Sequence, residues 1–191
     1  MRGTKRRSKL LIAAAAGLLG GVVPGAVGVP TNAALPAAPA QTGCAGPPAW
    51  PMGGADLANT RDAPGGPSAS QVGSLTVLWR FHAADGDFTG TPVVGGCTVY
   101  VGSNGGWVRA LHEKDGSLSW KTQVGGPIPS SAALDGTTVF VAIANPGAPS
   151  VAALDASTGK VLWETKIDAQ PDSDAYGSPI VYQGVVYEGV G

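Results

Sequence analysis

The sequence predicts an all-β fold built from repeated four-stranded sheets, and three observations support this prediction. First, residues 108–120 (VRALHEKDGSLSW) and 151–163 (VAALDASTGKVLW) share Val, Ala, Leu, Gly and Trp at five matching places, 43 residues apart. Second, from Leu75 onward the chain consists of short alternating runs of Val, Tyr, Thr and Phe bounded by Gly and Asp, which is typical of strands and turns. Third, no helical periodicity of useful length appears after residue 24.

The composition indicates a globular, turn-rich protein. The chain has 191 residues, with 30 Gly, 16 Pro, 43% hydrophobic and only 13% charged residues. A chain of low charge and high apolar content can bury a core, which argues against disorder. No basic stripe follows the N-terminal segment, so we expect no nucleic-acid partner.

Residues 1–40 are predicted to be a secretory signal peptide. A basic start, MRGTKRRSK, precedes an apolar stretch of 14 residues, Leu10 to Val23, which is shorter than the ~20 residues that a membrane-spanning helix needs. Ala38-Pro39-Ala40 fits a cleavage site before Gln41. We therefore expect an exported protein (secreted, cell-surface or periplasmic) with no stable membrane span after cleavage. An uncleaved anchor, a lipoprotein modified at Cys44, and export by either the general or the twin-arginine route remain open.

Residues 41–74 are predicted to be a Pro/Gly-rich arm with one ordered patch at residues 49–61. Cys44 in this arm and Cys97 are the two cysteines of the chain. Because exported proteins meet an oxidising compartment, we expect a disulfide that ties the arm to the first sheet. The alternative is one buried and one exposed thiol.

Residues 75–191 are predicted to be an incomplete β-propeller. A second repeated block begins at Thr91, Ser131 and Ser178, and each unit of ~42 residues reads as four strands, which is one propeller blade. Such units recur because one blade cannot bury both of its faces alone. A plain β-sandwich is the alternative. The residues predicted to carry the blade structure are Ala110, Gly116 and Trp120 in one copy and Ala153, Asp155, Gly159 and Trp163 in the next.

The second copy contains the complete pattern A-L-D-x-x-T-G-x-x-x-W at residues 153–163. This pattern resembles the tryptophan-docking repeat of the pyrroloquinoline-quinone (PQQ) propeller family. The first copy departs from it, with His112 for Asp and Asp115 for Thr. The arm sequence WPMGGADLANTR, residues 50–61, and TGTP, residues 89–92, look like quinoprotein alcohol dehydrogenases, especially the polyvinyl-alcohol dehydrogenase-like members.

This resemblance implies eight blades around a channel that holds PQQ and calcium. In such a protein an alcohol is the substrate, an Asp acts as base, and electrons pass to an acceptor. The chain covers about two and a half blades, so we expect an N-terminal fragment that is inactive alone and holds neither PQQ nor calcium. The catalytic and cofactor-binding residues are expected beyond Gly191. The rival interpretations are a non-enzymatic propeller scaffold or sensor domain that binds proteins through its blade surfaces, and a ring assembled from several copies.

Other polar residues are expected to be structural. The acidic residues Asp168, Asp172 and Asp174, and the segment Asp85-Gly86-Asp87, are interpreted as solvated loops rather than calcium ligands. Surface or strand positions are expected for His82 and His112, a solvated strand position for Arg109, and a blade-covering loop position for Trp107. Ser130-Ser131 lacks the strand-to-helix elbow of a hydrolase.

Overall fold

The computed structural model describes residues 9–14, 50–62 and 66–191, and for residues 9–14 it describes the backbone. The described residues form strands joined by short turns, with one four-residue helix, α1 (Ala69–Val72). The predicted all-β fold class is confirmed. Within the described part of the chain, no helix is long and apolar enough to cross a membrane. Most of the predicted signal peptide (1–40) and Cys44 lie outside the described residues, so those predictions stay predictions.

Two antiparallel four-stranded sheets form the centre of the fold. In each, every strand pairs with the next one along the chain. The first sheet contains β2 (Val93–Gly95), β3 (Thr98–Gly102), β4 (Trp107–His112) and β5 (Leu118–Gln123). The second sheet contains β6 (Ala133–Asp135), β7 (Thr138–Ile143), β8 (Ser150–Asp155) and β9 (Val161–Lys166). These sheets correspond to the two complete units that the sequence repeat predicts.

A third sheet contains three strands. Its members are β10 (Ile180–Tyr182), β11 (Val185–Val190) and β1 (Lys9–Ala14), in the order β1-β11-β10. The first two are the first and second strands of the third unit. Strand β1 pairs antiparallel with β11 and takes the place that a third strand takes in the complete sheets.

A row of one small and two aromatic residues crosses each complete sheet. Ala110 in β4 stands between Tyr100 in β3 and Trp120 in β5, and Ala153 stands in the same way in the second sheet. The Tyr100 and Trp120 rings come to 6.0 Å between centroids, although their strands are two strand spacings apart. The small alanine side chain explains this approach, because a larger residue would separate the two rings.

Trp120, which lies in the fourth strand of the first sheet, docks on the hairpin of the second sheet. The Trp120 indole donates from Nε1 to the carbonyl oxygen of Ala156 at 2.9 Å, and its ring covers Gly159. A Cβ atom on Gly159 would lie 2.4 Å from that ring, and Gly159 has a φ of 72°, so both space and backbone conformation require glycine there. Trp79 packs on Gly116 of the first sheet in the same way.

The hairpin aspartates stabilise their own turns. Asp155 Oδ1 accepts hydrogen bonds from the backbone and hydroxyl groups of Ser157 and Thr158. Asp115 Oδ1 accepts from the backbone and hydroxyl of Ser117. These hydrogen bonds favour the charged form and lower the pKa of both carboxyls. The aspartate of the repeat pattern is therefore a turn residue in this structure.

Two apolar clusters lie between neighbouring sheets. The first joins Val93, Tyr100 and Val108 of the first sheet to Val139 and Val141 of the second, with other residues of both sheets. The second cluster joins the other face of the second sheet, including Phe140, to the third sheet. The second sheet thus buries both of its faces against neighbouring sheets, as the predicted propeller requires.

The repeat aligns Trp79 with Trp120 and Trp163 and so predicts a strand that ends at Trp79, but this strand is not formed. Leu75, Val77 and Leu78 are exposed, and none of residues 75–80 belongs to a strand. A fourth strand needs a third strand beside it, and the described residues that precede Leu75 supply none. Trp79 is nevertheless held, since its Nε1 donates to the carbonyl oxygen of Glu113 at 2.7 Å.

Cys97 lies in the turn between β2 and β3 and is disulfide-bonded. Its predicted partner, Cys44, lies outside the described residues. The pairing of Cys44 with Cys97 therefore stays a prediction.

Candidate functional site

The sheets converge at their first strands, where β2 contacts β6 and β6 contacts β10. The arm lies along the first two of these strands, β2 and β6. Trp50 exchanges two backbone hydrogen bonds of 2.8 Å with Val94, and the Leu134 N–H donates to the Pro51 carbonyl oxygen at 2.7 Å. The arm motif predicted from the sequence to be ordered thus ties the first two sheets together along their inner edges.

A ladder of hydroxyl groups stands where the first strands begin. We call Thr91, Ser131 and Ser178 the inner rim. The Thr91 N–H donates to Ser131 Oγ at 2.9 Å, and the Ser131 N–H donates to Ser178 Oγ at 3.1 Å. Because the three residues start the three copies of the repeat, the Ser131 and Ser178 hydroxyls each link their sheet to the preceding one. Ser131 therefore has a structural task rather than the role of a nucleophile.

Polar atoms without hydrogen-bond partners are buried in the rim region. The Ser130 hydroxyl and both carboxyl oxygens of Glu188 have no partner, and the two side chains are 5% and 3% exposed. Gly177, beside the rim residue Ser178, faces Glu188: a Cβ atom on Gly177 would lie 2.7 Å from Glu188 Oε1. An orphaned carboxyl is costly in a protein interior, so Glu188 is the most unusual group of this region.

Burial raises the pKa of Glu188 from 4.5 to about 7. The Gly189 backbone N–H lowers this pKa by a smaller amount, since it comes near the carboxyl without hydrogen-bond geometry. Sequence analysis missed this residue, although a signal was present. The repeat places Tyr187 with Tyr100 and Phe140, so Glu188 stands where the complete units have Val101 and Val141.

Arg109 is buried, and the prediction of a solvated strand position is wrong. Its side chain is 2% exposed, donates to Ser103 Oγ at 3.1 Å and forms an ion pair with Asp85. Its guanidinium carbon lies 5.6 Å from the centre of the Phe88 ring and 5.9 Å from that of Trp107. The segment predicted as a solvated loop thus packs onto the first sheet, because Asp85 neutralises a cation that would otherwise be buried alone.

We expect Asp85→Ala to lower the free energy of unfolding by about 3 kcal/mol, because it leaves the buried guanidinium of Arg109 without a counter-ion. Asp87→Ala is the matched control. Its carboxylate lies in the same segment and accepts one hydrogen bond, from Asn104, so we expect a loss of about 1 kcal/mol or less. Urea unfolding measures both. The account predicts partial recovery in Asp85→Ala/Arg109→Met, and a double variant no more stable than Asp85→Ala would contradict it.

The remaining candidates differ in their exposure. His82 and His112 are exposed, and Trp107 is half-buried at the start of β4. Asp168 is partly exposed, and Asp172 is exposed. The prediction of a solvated position is wrong for Asp174, which is buried and accepts from the Ala175 N–H at 2.9 Å, while its backbone pairs with that of Gly191.

A quinone–metal centre is not completed by these residues. Among residues 50–62 and 66–191, no group of three or more His, Cys, Asp or Glu side chains could hold a metal ion. An anionic quinone needs cationic partners, but the guanidinium of Arg109 is already bound to Asp85 and Ser103. Glu188 and Ser130 offer free oxygens, which alone do not make a ligand set.

Comparison with known proteins agrees with this architecture. A relative from Pseudomonas sp., named polyvinylalcohol dehydrogenase, is 34% identical over 154 residues, which cover 74% of this chain and 23% of the relative. A quinohemoprotein alcohol dehydrogenase from Pseudomonas putida HK5 superposes with a TM-score of 0.66 and 25% identity, over 75% of this chain and 23% of that one. A europium-containing methanol dehydrogenase superposes with a TM-score of 0.63 and 26% identity, over 75% of this chain and 27% of that one.

The chain thus spans about a quarter of the length of these proteins. The model of the PQQ_2 family, described as outer membrane protein assembly factor BamB, matches residues 68–189. That range contains both complete sheets, the docked tryptophans and the rim. The chain belongs to the PQQ_2 family and forms part of a β-propeller like that of the quinoprotein alcohol dehydrogenases.

Proposed function

We propose that this chain is the N-terminal part of an exported, PQQ-dependent alcohol dehydrogenase. The observation that carries the proposal is the combination of the arm with the converging sheets. The arm motif of residues 50–61 lies along the inner edges of the first two sheets, and relatives that share both parts are named alcohol dehydrogenases. A repeat alone would support any propeller of the family.

In this proposal the described residues build and hold the wall of the cofactor channel. The inner rim fixes the spacing of the sheets, and Arg109 holds the segment around Asp85 against the first sheet. PQQ would accept the electrons of the alcohol when bound, with calcium or another metal ion as Lewis acid. Since the described residues lack a metal ligand set, further blades would have to bring those ligands, the catalytic base and the contacts with an electron acceptor.

A second candidate is a non-enzymatic scaffold that binds proteins through its blade surfaces. The family model itself supports this candidate, because its description is that of an outer membrane assembly factor. The two functions differ in what the channel holds: an enzyme needs a cofactor there, and a scaffold does not.

The deciding experiment uses the complete gene, including any sequence downstream of codon 191. The encoded protein is reconstituted with PQQ and either calcium or a lanthanide, and dye reduction is followed with short alcohols and with vinyl-alcohol oligomers. We expect PQQ-dependent turnover, no turnover by the 191-residue chain alone, and a secreted product that begins at Gln41. A full-length protein that neither binds PQQ nor reduces dye would exclude the enzyme and leave the scaffold.

A further inference from the structure

A groove of about 580 Å³ lies between the first and second sheets, at the ends opposite the inner rim. The rim stands where the first strands begin, whereas the groove contains Gly95 and Gly96, where β2 ends, and Gly136 beside the end of β6. The hairpins that follow β4 and β8 form its outer part. Its volume falls in the range of small-molecule sites.

The lining of the groove carries several hydroxyl groups on a mostly apolar surface and has few charged groups. Hydroxyl groups line both walls, including those of Tyr100, Ser119 and Thr137. His112 and Asp155 are the titratable groups besides Tyr100, and none of the lining residues is Lys or Arg. A phosphate or carboxylate ligand would find neither a lysine nor an arginine here, so the lining favours a neutral ligand with hydroxyl groups.

The repeat provides an internal comparison that shows how the groove arises. Four lining residues of the first sheet differ from their counterparts in the second sheet, which are bulkier, charged or without a hydroxyl. The pairs are Gly95 and Asp135, Tyr100 and Phe140, His112 and Asp155, and Ser119 and Leu162. The first unit therefore departs from the pattern of the second at the positions that open the groove and supply polar groups to it.

Some polar groups of the groove are already hydrogen-bonded within the protein, whereas others remain able to bond a ligand. The Tyr100 hydroxyl and the Trp120 indole both donate to the Ala156 carbonyl oxygen, at 3.2 and 2.9 Å, so that carbonyl is saturated. Asp155 uses Oδ1 for its own turn, which leaves Oδ2 as an acceptor. Ser119 and His112 are exposed and can donate and accept, while Pro51 and Leu134 offer apolar surface to the carbon skeleton of a ligand.

We propose that this groove is a binding site for a neutral polyhydroxylated chain, such as a vinyl-alcohol oligomer or an oligosaccharide. Asp155 Oδ2, Ser119 and His112 would contact hydroxyl groups of the ligand. The groove lies away from the rim, and its test measures binding. The outcome of that test therefore does not depend on whether the dehydrogenase proposal is right.

The test titrates the ¹⁵N-labelled 191-residue chain with vinyl-alcohol oligomers, which carry 1,3-spaced hydroxyls, with maltotriose, which carries vicinal hydroxyls, and with citrate. We expect saturable shifts of the amides of Gly95, Gly96 and Gly136 with at least one polyol and none with citrate. If only one polyol shifts these amides, the site selects the hydroxyl spacing of that polyol. If both shift them, the site recognises hydroxyl groups of either spacing. If neither polyol shifts these amides, the proposal is wrong.

Exchange of residues between the units provides matched variants. Ser119→Leu installs the second-unit residue and fills the groove, and we expect at least about tenfold weaker binding. His112→Asp, a second exchange of this kind, adds a negative charge to the groove that Asp155 also lines and is expected to weaken binding as well. Leu162→Ser makes the reverse change on the second sheet, outside the groove, and should leave binding within about twofold. Equal binding by the wild type and a folded Ser119→Leu variant would overturn the proposal.

Discussion

Replacement of Glu188 by valine is expected to raise the free energy of unfolding by about 3 kcal/mol at pH 8. The reason is that this carboxyl is buried without a hydrogen-bond partner and its pKa is raised to about 7. Valine occupies the equivalent position in both complete units, as Val101 and Val141, so the replacement fits the inter-sheet packing. Urea unfolding of the 191-residue chain measures the change.

The pH dependence of the wild type gives an independent test of the same group. A carboxyl whose folded pKa lies above its unfolded value favours the folded state when it is protonated. The contribution of Glu188 to the free energy of unfolding is therefore fully present below pH 4.5 and falls as the pH rises from 4.5 to about 7. Above about pH 7 this contribution no longer changes. Glu188→Gln, which keeps the shape but cannot ionise, should remove this slope. The same slope in both proteins would show that Glu188 is not the titrating group.

Trp120→Ala is expected to lower the free energy of unfolding by about 4 kcal/mol. The substitution removes the hydrogen bond to Ala156 and uncovers Gly159, whose surface the indole ring covers. It therefore breaks a contact that joins the first sheet to the second.

Trp163→Ala is the matched control for that change. Trp163 lies in the equivalent strand and contacts Phe140 of its own sheet at 6.0 Å between ring centroids. No described hairpin of a following unit receives its indole Nε1, so we expect a smaller loss, about 2 kcal/mol. If both substitutions lower the free energy of unfolding by the same amount, docking of Trp120 on the next hairpin adds nothing to stability, and the account is contradicted.

The repeat made most of the fold predictable from the sequence. Gly116, Gly159, Trp120 and Trp163 recur because each unit makes the same turn and the same aromatic row, and short-range rules are sufficient to read such features. The segment that ends at Trp79 shows the limit of this reasoning. Its residues follow the strand pattern, but a strand forms only where another strand pairs with it.

The groups of the candidate sites were harder to predict, because their environment depends on contacts between distant residues. In the sequence, nothing distinguishes Arg109 from a solvated strand residue. In the folded protein Asp85, which lies 24 positions earlier in the chain, contacts its guanidinium. Glu188 and Ser119 are different, since the sequence itself marks them as departures from the repeat. Comparison of each unit with its neighbours, position by position, would have singled out both residues.

The central claim, that the first sheet docks on the second through Trp120 against the Gly159 hairpin, is tested most directly by proton NMR of Gly159. The structure predicts that the Gly159 Hα pointing at the Trp120 ring has a strong upfield ring-current shift and a nuclear Overhauser contact with that ring. It also predicts slow solvent exchange of the Trp120 indole N–H. Random-coil Hα shifts at Gly159, together with rapid exchange of that indole proton, would contradict the packing of the two sheets.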